Sequence, residues 1–286
     1  MKHLVKKAMA GLLALTLALT LALGLCACGG PRTPAEVMAQ AGENLAKARS
    51  MTFDMTMEMS MSAGDETVDM TMRMTGETTT EPAVVHAGMD IDLGALGSMA
   101  MEMYAEQSET TVTTYISALG QWMKEETALD EASAVLDAKG DMGSSLALAA
   151  NLEEAGTETV GGVEATRYDG VITGENLRKV LESNGMLGEF GDILGLGDSM
   201  EDGLGDTAEL GDIPISIWID REAMLPVRYE MDMTEMMQKL LAQVWEAVSM
   251  EYPAVSRMKI SMTIGGIDTV EAIVIPDEAR NAQPVG

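Results

Sequence analysis

Aromatic rings are scarce in this chain. Phe, Trp and Tyr together make up 3% of 286 residues, so a core must be filled by aliphatic and thioether groups. Histidine is almost missing, with only His3 and His86. Both cysteines, Cys26 and Cys28, lie near the start, which excludes a disulfide framework or a cysteine-built metal site further on. Basic residues are few: 18 Lys and Arg stand against 46 Asp and Glu, giving a net charge of −28. Such a surface repels nucleic acid and anionic headgroups and favours solubility. The sequence contains no Gly-x-Ser-x-Gly, no His-Glu-x-x-His and no phosphate loop, so the common hydrolase and nucleotide signatures are missing. Paired carboxylates are too abundant to single out a glycosidase. No cofactor is implied.

What the chain has in excess is methionine, 27 residues. Met51, Phe53, Met55, Met57, Met59 and Met61 alternate with Thr52, Asp54, Thr56, Glu58, Ser60 and Ser62. Side chains on a strand alternate faces, so this stretch predicts a strand with one apolar and one polar face. Met70, Met72 and Met74 repeat the pattern, and Met99, Met101 and Met103 repeat it again.

The first residues form a leader. Lys2, Lys6 and Lys7 precede an apolar run from Ala8 to Leu25, the layout of a secretory signal. The run is also just long enough to suggest a transmembrane anchor. Leu25-Cys26-Ala27-Cys28-Gly29-Gly30 decides between the two, because it resembles the bacterial lipoprotein lipobox with Cys28 as the lipidated residue. Cys26 does not fit, since Leu25 would directly precede it. The resemblance implies signal peptide 1–27, diacylglyceryl transfer to Cys28, and a lipidated tether 28–34. Removing three lysines takes the net charge to about −31. Buried acyl chains contribute roughly 0.8 kcal/mol per CH₂, so a multiply acylated (palmitate-like) Cys28 holds stably. The expected location is the extracytoplasmic face of the cell membrane.

Beyond the tether, Thr33-Pro34 with Glu36 predicts a helix start over Ala35 to Arg49. Strand patterns follow through Ser117, then Gln121 to Lys124. Thr127 to Ala150 reads as helical. Asn151–Val160 and Val163–Ile172 read as a hairpin around Gly161-Gly162, and Thr173 caps a helix. Residues 185–212 are an acidic Gly-rich insert without period, a lid or a disordered loop. Ile213–Asp220 and Pro226–Met233 form a hairpin, Thr234–Met250 a helix, and Val255–Ile264 with Thr269–Ile275 a closing hairpin. In all, about a dozen strands and four helices are expected.

The order of these parts resembles the Gram-positive lipoproteins related to the LolA/LppX-type lipoprotein and lipid carriers. The residues that carry it are Gly120-Gln121-Trp122-Met123-Lys124, Tyr168-Asp169-Gly170-Val171-Ile172, Ile217-Trp218-Ile219-Asp220, Leu225-Pro226-Val227-Arg228 and Ile275-Pro276-Asp277-Glu278-Ala279. The resemblance covers most of residues 35–280 and implies one α+β domain, 35–286. Its sheet is strongly curved and antiparallel, a half-barrel, with helices covering the concave face over an apolar cavity. It offers no catalytic residue, so an enzyme is not expected.

The candidate cavity face is Met51, Phe53, Met55, Met57, Met59, Met61, Met70, Met72, Met74, Met101, Met103, Trp122 and Trp218. Two readings compete for it. It is a packed core of a structural or protein-interaction lipoprotein, or it lines a site for a lipid, acyl chain or other hydrophobic small molecule, to which unbranched thioethers adapt. Cu(I) would suit thioethers too, but sulfurs along one strand face stand about 7 Å apart and need neighbouring strands. Asp198, Asp202, Gly203, Asp206 and Glu209 match part of a calcium loop, yet Met200 occupies a ligand position. A solvated acidic loop accounts for them better, and no metal ligand is assigned. Oligomeric state and partner proteins are not encoded in these patterns.

Overall fold

The computed structural model describes residues 32–63, 66–129, 146–177, 211–248 and 254–284. The leader, Cys28, most of the tether, the centre of the expected 127–150 helix, nearly all of the 185–212 insert and the calcium-like loop lie outside these residues.

Helix α1 (Pro34–Lys47) starts where its capping signal stands. The Thr33 hydroxyl accepts from Glu36 N–H, and the Glu36 carboxylate accepts from Thr33 N–H at 2.8 Å, a reciprocal capping box. Its apolar stripe, Val37, Met38, Ala41 and Leu45, is buried.

β1 (Ser50–Ala63) follows. Its alternation dictates extended backbone, and it occupies the middle of a twelve-stranded sheet. The chain then meanders to one edge through β2 (Glu66–Thr80), β3 (Ala83–Asp92), β4 (Ser98–Gln107), β5 (Thr111–Ala118) and β6 (Gln121–Ala128). It reappears at the opposite edge as β7 (Ala149–Val160) and returns inward through β8 (Val163–Ile172), β9 (Ile213–Asp220), β10 (Pro226–Asp232) and β11 (Ala254–Gly265). β11 closes the circuit by pairing antiparallel with β1. At the β6 edge a two-residue β12 (Gln283–Pro284) adds a parallel pairing. The sheet is curved and not closed into a barrel.

Two further helices are α2 (Thr234–Val248) between β10 and β11, and α3 (Asp277–Arg280) before β12; helical residues also stand at 146–148 and at 174–177, where the Thr173 hydroxyl accepts from Asn176 N–H as a cap. The hairpin expected at Gly161-Gly162 is present, with φ of 57° and 90° at the two glycines. Both lie in the left-handed region that such a two-residue turn requires.

Two expectations are corrected. Thr127 and Ala128 are the end of β6, and Ala149 and Ala150 begin β7, so the Ala-rich 127–150 stretch is strand at both ends. Thr269–Ile275 does not return as a hairpin strand. β11 already has β1 on one side and β10 on the other, so no edge is free to hydrogen-bond a returning segment. The segment instead crosses the sheet and buries Ile275 against Val84, Tyr104 and Tyr115.

Candidate functional site: the methionine face of the sheet

In antiparallel sheets, paired residues project to the same face, so the register sorts every side chain. One cross-strand row reads Tyr168, Ile217, Tyr229, Met262, Met55, Met74, Met89, Met101 from β8 to β4. A second reads Ile215, Met231, Ile260, Met57, Met72, Ile91, Met99. A third reads Ile264, Phe53, Gly76, Ala87, Met103, Ile116, Met123. Met59 pairs with both Met70 and Met258, and Met61 with Val68 and Val255. One face therefore carries thioethers over six adjacent strands.

The two ends of this face differ. At the β7–β11 end, α1 and α2 pack down on it. Leu45, Met51, Ile217, Met237 and Val255 are fully enclosed there, and Phe53, Met57, Met59 and Met61 pack against that cluster. Met55, Met70, Met72, Met74, Met101 and Met103 are only half-buried, and none belongs to the enclosed cluster. Val68, Met99 and Met123 are exposed at the rim. Among the described residues, helical cover of the whole face is therefore not found. The described helices close one end, because their apolar stripes are spent on the Ile-rich strands β9 to β11. An apolar concavity of about 560 Å³ opens between α1 and β7, lined by Met38, Gly42, Leu146 and Leu152.

Trp122 and Trp218 are not on this face. Trp122 pairs with Ser117, and that row runs through Glu102, Gly88 and Thr75 to Asp54. Trp218 reaches the same Asp54 through Arg228 and Thr263. Both indoles share the polar face of β1. Trp218 is 2% exposed and sits between two guanidinium groups, with Arg228 Cζ 4.9 Å and Arg167 Cζ 5.2 Å from the ring centre, a cation–π arrangement. Arg167 in turn donates to Asp169 at 2.7 Å. Burial alone would raise the Asp169 pKa, but hydrogen bonds from Ser216 and Arg167 and the guanidinium charge hold it below the usual carboxylate value.

Trp122 belongs to a second polar-face cluster that docks the chain's end. Tyr104 stacks on His86 at 4.3 Å and donates to Glu102 at 3.0 Å. Tyr115 donates to Glu106 at 2.8 Å, and Arg280 of α3 forks onto the same carboxylate at 2.8 and 3.1 Å. Burial, reinforced by the Glu102 and Glu106 hydrogen bonds, pushes both phenols up to about 12. Among the described residues no group of three His, Cys, Asp or Glu could hold a metal ion, and no described helix is long and apolar enough to cross a membrane.

Residues 33–154 match a family of unknown function, DUF6612. No curated protein matches the sequence. Among solved structures, the chain is similar to the lipoprotein LppX of Mycobacterium tuberculosis, with 12% identity, TM-score 0.44, and coverage of 84% of this chain and 98% of that one. It is similar to LprF of Mycobacterium bovis, with 12% identity, TM-score 0.46, and coverage of 86% and 97%. It also resembles a candidate outer membrane lipoprotein-sorting protein domain of Vibrio parahaemolyticus, with 10% identity, TM-score 0.29, and coverage of 87% and 98%. The likeness to LppX-type lipoproteins expected from the sequence thus recurs in the structure comparison.

Sequence reasoning missed part of the face. Met258 and Met262 of β11, Met89 of β3, and the phenols Tyr168 and Tyr229 lie on it as well. Met89 and Ile91 alternate with Asp90 and Asp92, but the phase of that alternation relative to β1 is set by pairing. For Tyr229 the alternation of Val227, Tyr229 and Met231 with Arg228, Glu230 and Asp232 was the available signal. Chemically the thioethers of this face offer dispersion contacts to a flexible apolar chain.

Proposed function

We propose that this chain is a lipid-anchored extracytoplasmic lipoprotein, not an enzyme, whose methionine face holds an acyl chain or similar hydrophobic ligand. The observation that carries the reading is the half-buried extension of that face. Methionines from adjacent strands continue past the helix-enclosed cluster as one apolar band. A core alone does not need such a band, and water contact with it is unfavourable by roughly 25 cal/mol per Å². Met is also a poor choice for strand propensity compared with Val or Ile. Its use here favours adaptability over a fixed packing arrangement. The lipobox-like Cys28 supports the anchor, and residues 28–34 would serve as the tether.

The test is direct. The chain is purified from its membrane, extracted with organic solvent, and the extract analysed by mass spectrometry alongside uptake of a fluorescent fatty acyl probe. Recovery of a stoichiometric apolar ligand, or saturable probe uptake, supports the reading. Failure of both leaves the face as the packed surface of a structural or protein-interaction lipoprotein. Metabolic labelling with an alkyne fatty acid, lost in Cys28→Ala, tests the anchor separately.

A further inference from the structure

Tyr229 is buried on the ligand-facing side of the sheet with a hydroxyl that has nothing to bond to. Its residue is 5% exposed, and its hydroxyl has no hydrogen-bond partner among the described residues. Two other buried phenols differ. Tyr104 and Tyr115, on the opposite face, each donate to a carboxylate. Buried hydroxyls are rarely left unpaired, and those that are call for a specific explanation.

The surroundings narrow the missing partner. Tyr229 belongs to the enclosed apolar cluster with Met51, Ile217, Met258 and Ile264. It shares its row with Met262, Met55, Met74, Met89 and Met101. Burial pushes its ionisation to higher pH than a free phenol's. The phenol therefore stays neutral and can donate at any physiological pH. An ionised carboxylate would enter this dry setting without a cation to balance it, which is costly. A neutral carbonyl would not carry that penalty. The row from Tyr229 to Met101 crosses five interstrand steps of about 4.8 Å, about 24 Å in all. That exceeds one leaflet's share, about 15 Å, of a bilayer's hydrocarbon, so the row is long enough for an acyl chain that begins at Tyr229.

Resting on the proposed acyl-binding role, we infer that the Tyr229 hydroxyl donates to the ester carbonyl of a neutral acyl lipid and so makes the site prefer esters over plain hydrocarbons and free fatty acid anions.

The experiment uses the full chain in non-ionic detergent and three pyrene-labelled probes of matched chain length: a methyl ester, the free acid and a hydrocarbon. Wild type should bind the ester about tenfold more tightly than the hydrocarbon, the scale of one net hydrogen bond. Tyr229→Phe should bind ester and hydrocarbon equally and, without ligand, melt at a higher temperature than wild type, since the orphan hydroxyl is gone. A uniform loss for both probes, an unchanged ester preference, or tighter binding of the acid than the ester overturns the role of Tyr229 while leaving acyl binding intact. Binding of none of the probes by wild type overturns the acyl-binding reading itself. A destabilised Tyr229→Phe counts against the inference, because it would mean the hydroxyl is already satisfied within the protein.

Discussion

The ring of Phe53 lies across Gly76, its partner on β2, so closely that a Cβ at position 76 would stand 2.3 Å from Phe53 Cζ. The largest apolar side chain of β1 is thus seated in a gap left by the absence of one on β2. This places a ring at the junction of the enclosed cluster and the half-buried methionine band.

Gly76→Ala is expected to destabilise the domain by about 1–3 kcal/mol, the usual range for overpacking. Phe53→Leu should relieve only part of that loss, because the added methyl also meets the His86 carbonyl oxygen at 2.6 Å. Urea unfolding of the two single variants and the double variant measures both quantities. Full rescue in the double variant would mean the backbone contact is soft.

Substitutions along the methionine face should divide by position. Met51 is fully buried, so Met51→Ala should cost about 2–5 kcal/mol of stability. Met72 and Met101 are half-buried. Met72→Lys and Met101→Lys should leave the melting temperature within a few degrees of wild type yet abolish acyl-probe uptake. Thermal melts and probe titration on the same preparations separate the two effects. Uptake unaffected by both lysines would place any ligand elsewhere.

A brominated acyl chain quenches tryptophan only near contact. In a Trp245→Phe background the remaining indoles, Trp122 and Trp218, stand on the opposite face of the sheet from the methionines. Their emission should not change when the brominated chain binds. Adding Met72→Trp should create a quenchable signal. Quenching in the background protein would indicate binding on the polar face.

Alkaline stability should fall with a defined origin. Tyr104 and Tyr115 ionise at about 12 in the fold against 10.0 normally. A phenol whose folded pKa is the higher one favours folding fully below the unfolded value, and the contribution is lost as pH rises through the folded value. Undocking of α3 and Ile275 should therefore set in above pH 10 and be complete beyond pH 12, together with phenolate absorbance. Tyr104→Phe with Tyr115→Phe should remove that dependence. Far-ultraviolet and absorbance titrations over this range test it.

Acid acts through other groups. Asp169 and Asp232 are both held below the usual carboxylate value. Burial opposes this in each case, and it is outweighed for Asp169 by Ser216 and Arg167 and for Asp232 by Thr234 and Lys259. Their contribution is present above an unfolded pKa of about 3.9 and fades as pH drops through the lower folded values. Asp169→Asn should lower stability at neutral pH and flatten the acid limb of a stability–pH profile below about pH 4, so that variant and wild type converge in acid. A profile unchanged below that pH would mean the Asp169 hydrogen bonds are not retained in solution.

The strands were legible because their signals are local. A period of two over Met51–Met61 leaves the backbone no helical alternative that keeps one face apolar. The capping box at Thr33 and Glu36, the Gly161-Gly162 turn and the Ile213–Asp220 hairpin depend on neighbours a few residues apart, and the structure contains all of them. The terminal hairpin at Thr269–Ile275 was misread for the opposite reason. Its residues are rich in β-branched side chains as a strand's are, but whether a strand forms depends on a free edge, and β11 has none.

By itself, then, the sequence determined which segments extend, where they turn, and that each carries an apolar and a polar side, since these follow from side-chain spacing and backbone geometry. Only the tertiary structure decided which sides coincide. Cross-strand register joined the methionines of β1 to β4 and β11 into one surface, sent Trp122 and Trp218 to the other, and enclosed Tyr229 without a partner among the described residues. Register is fixed by pairing between residues far apart in the chain, and a shift of one position exchanges the two faces, so no local pattern can specify it.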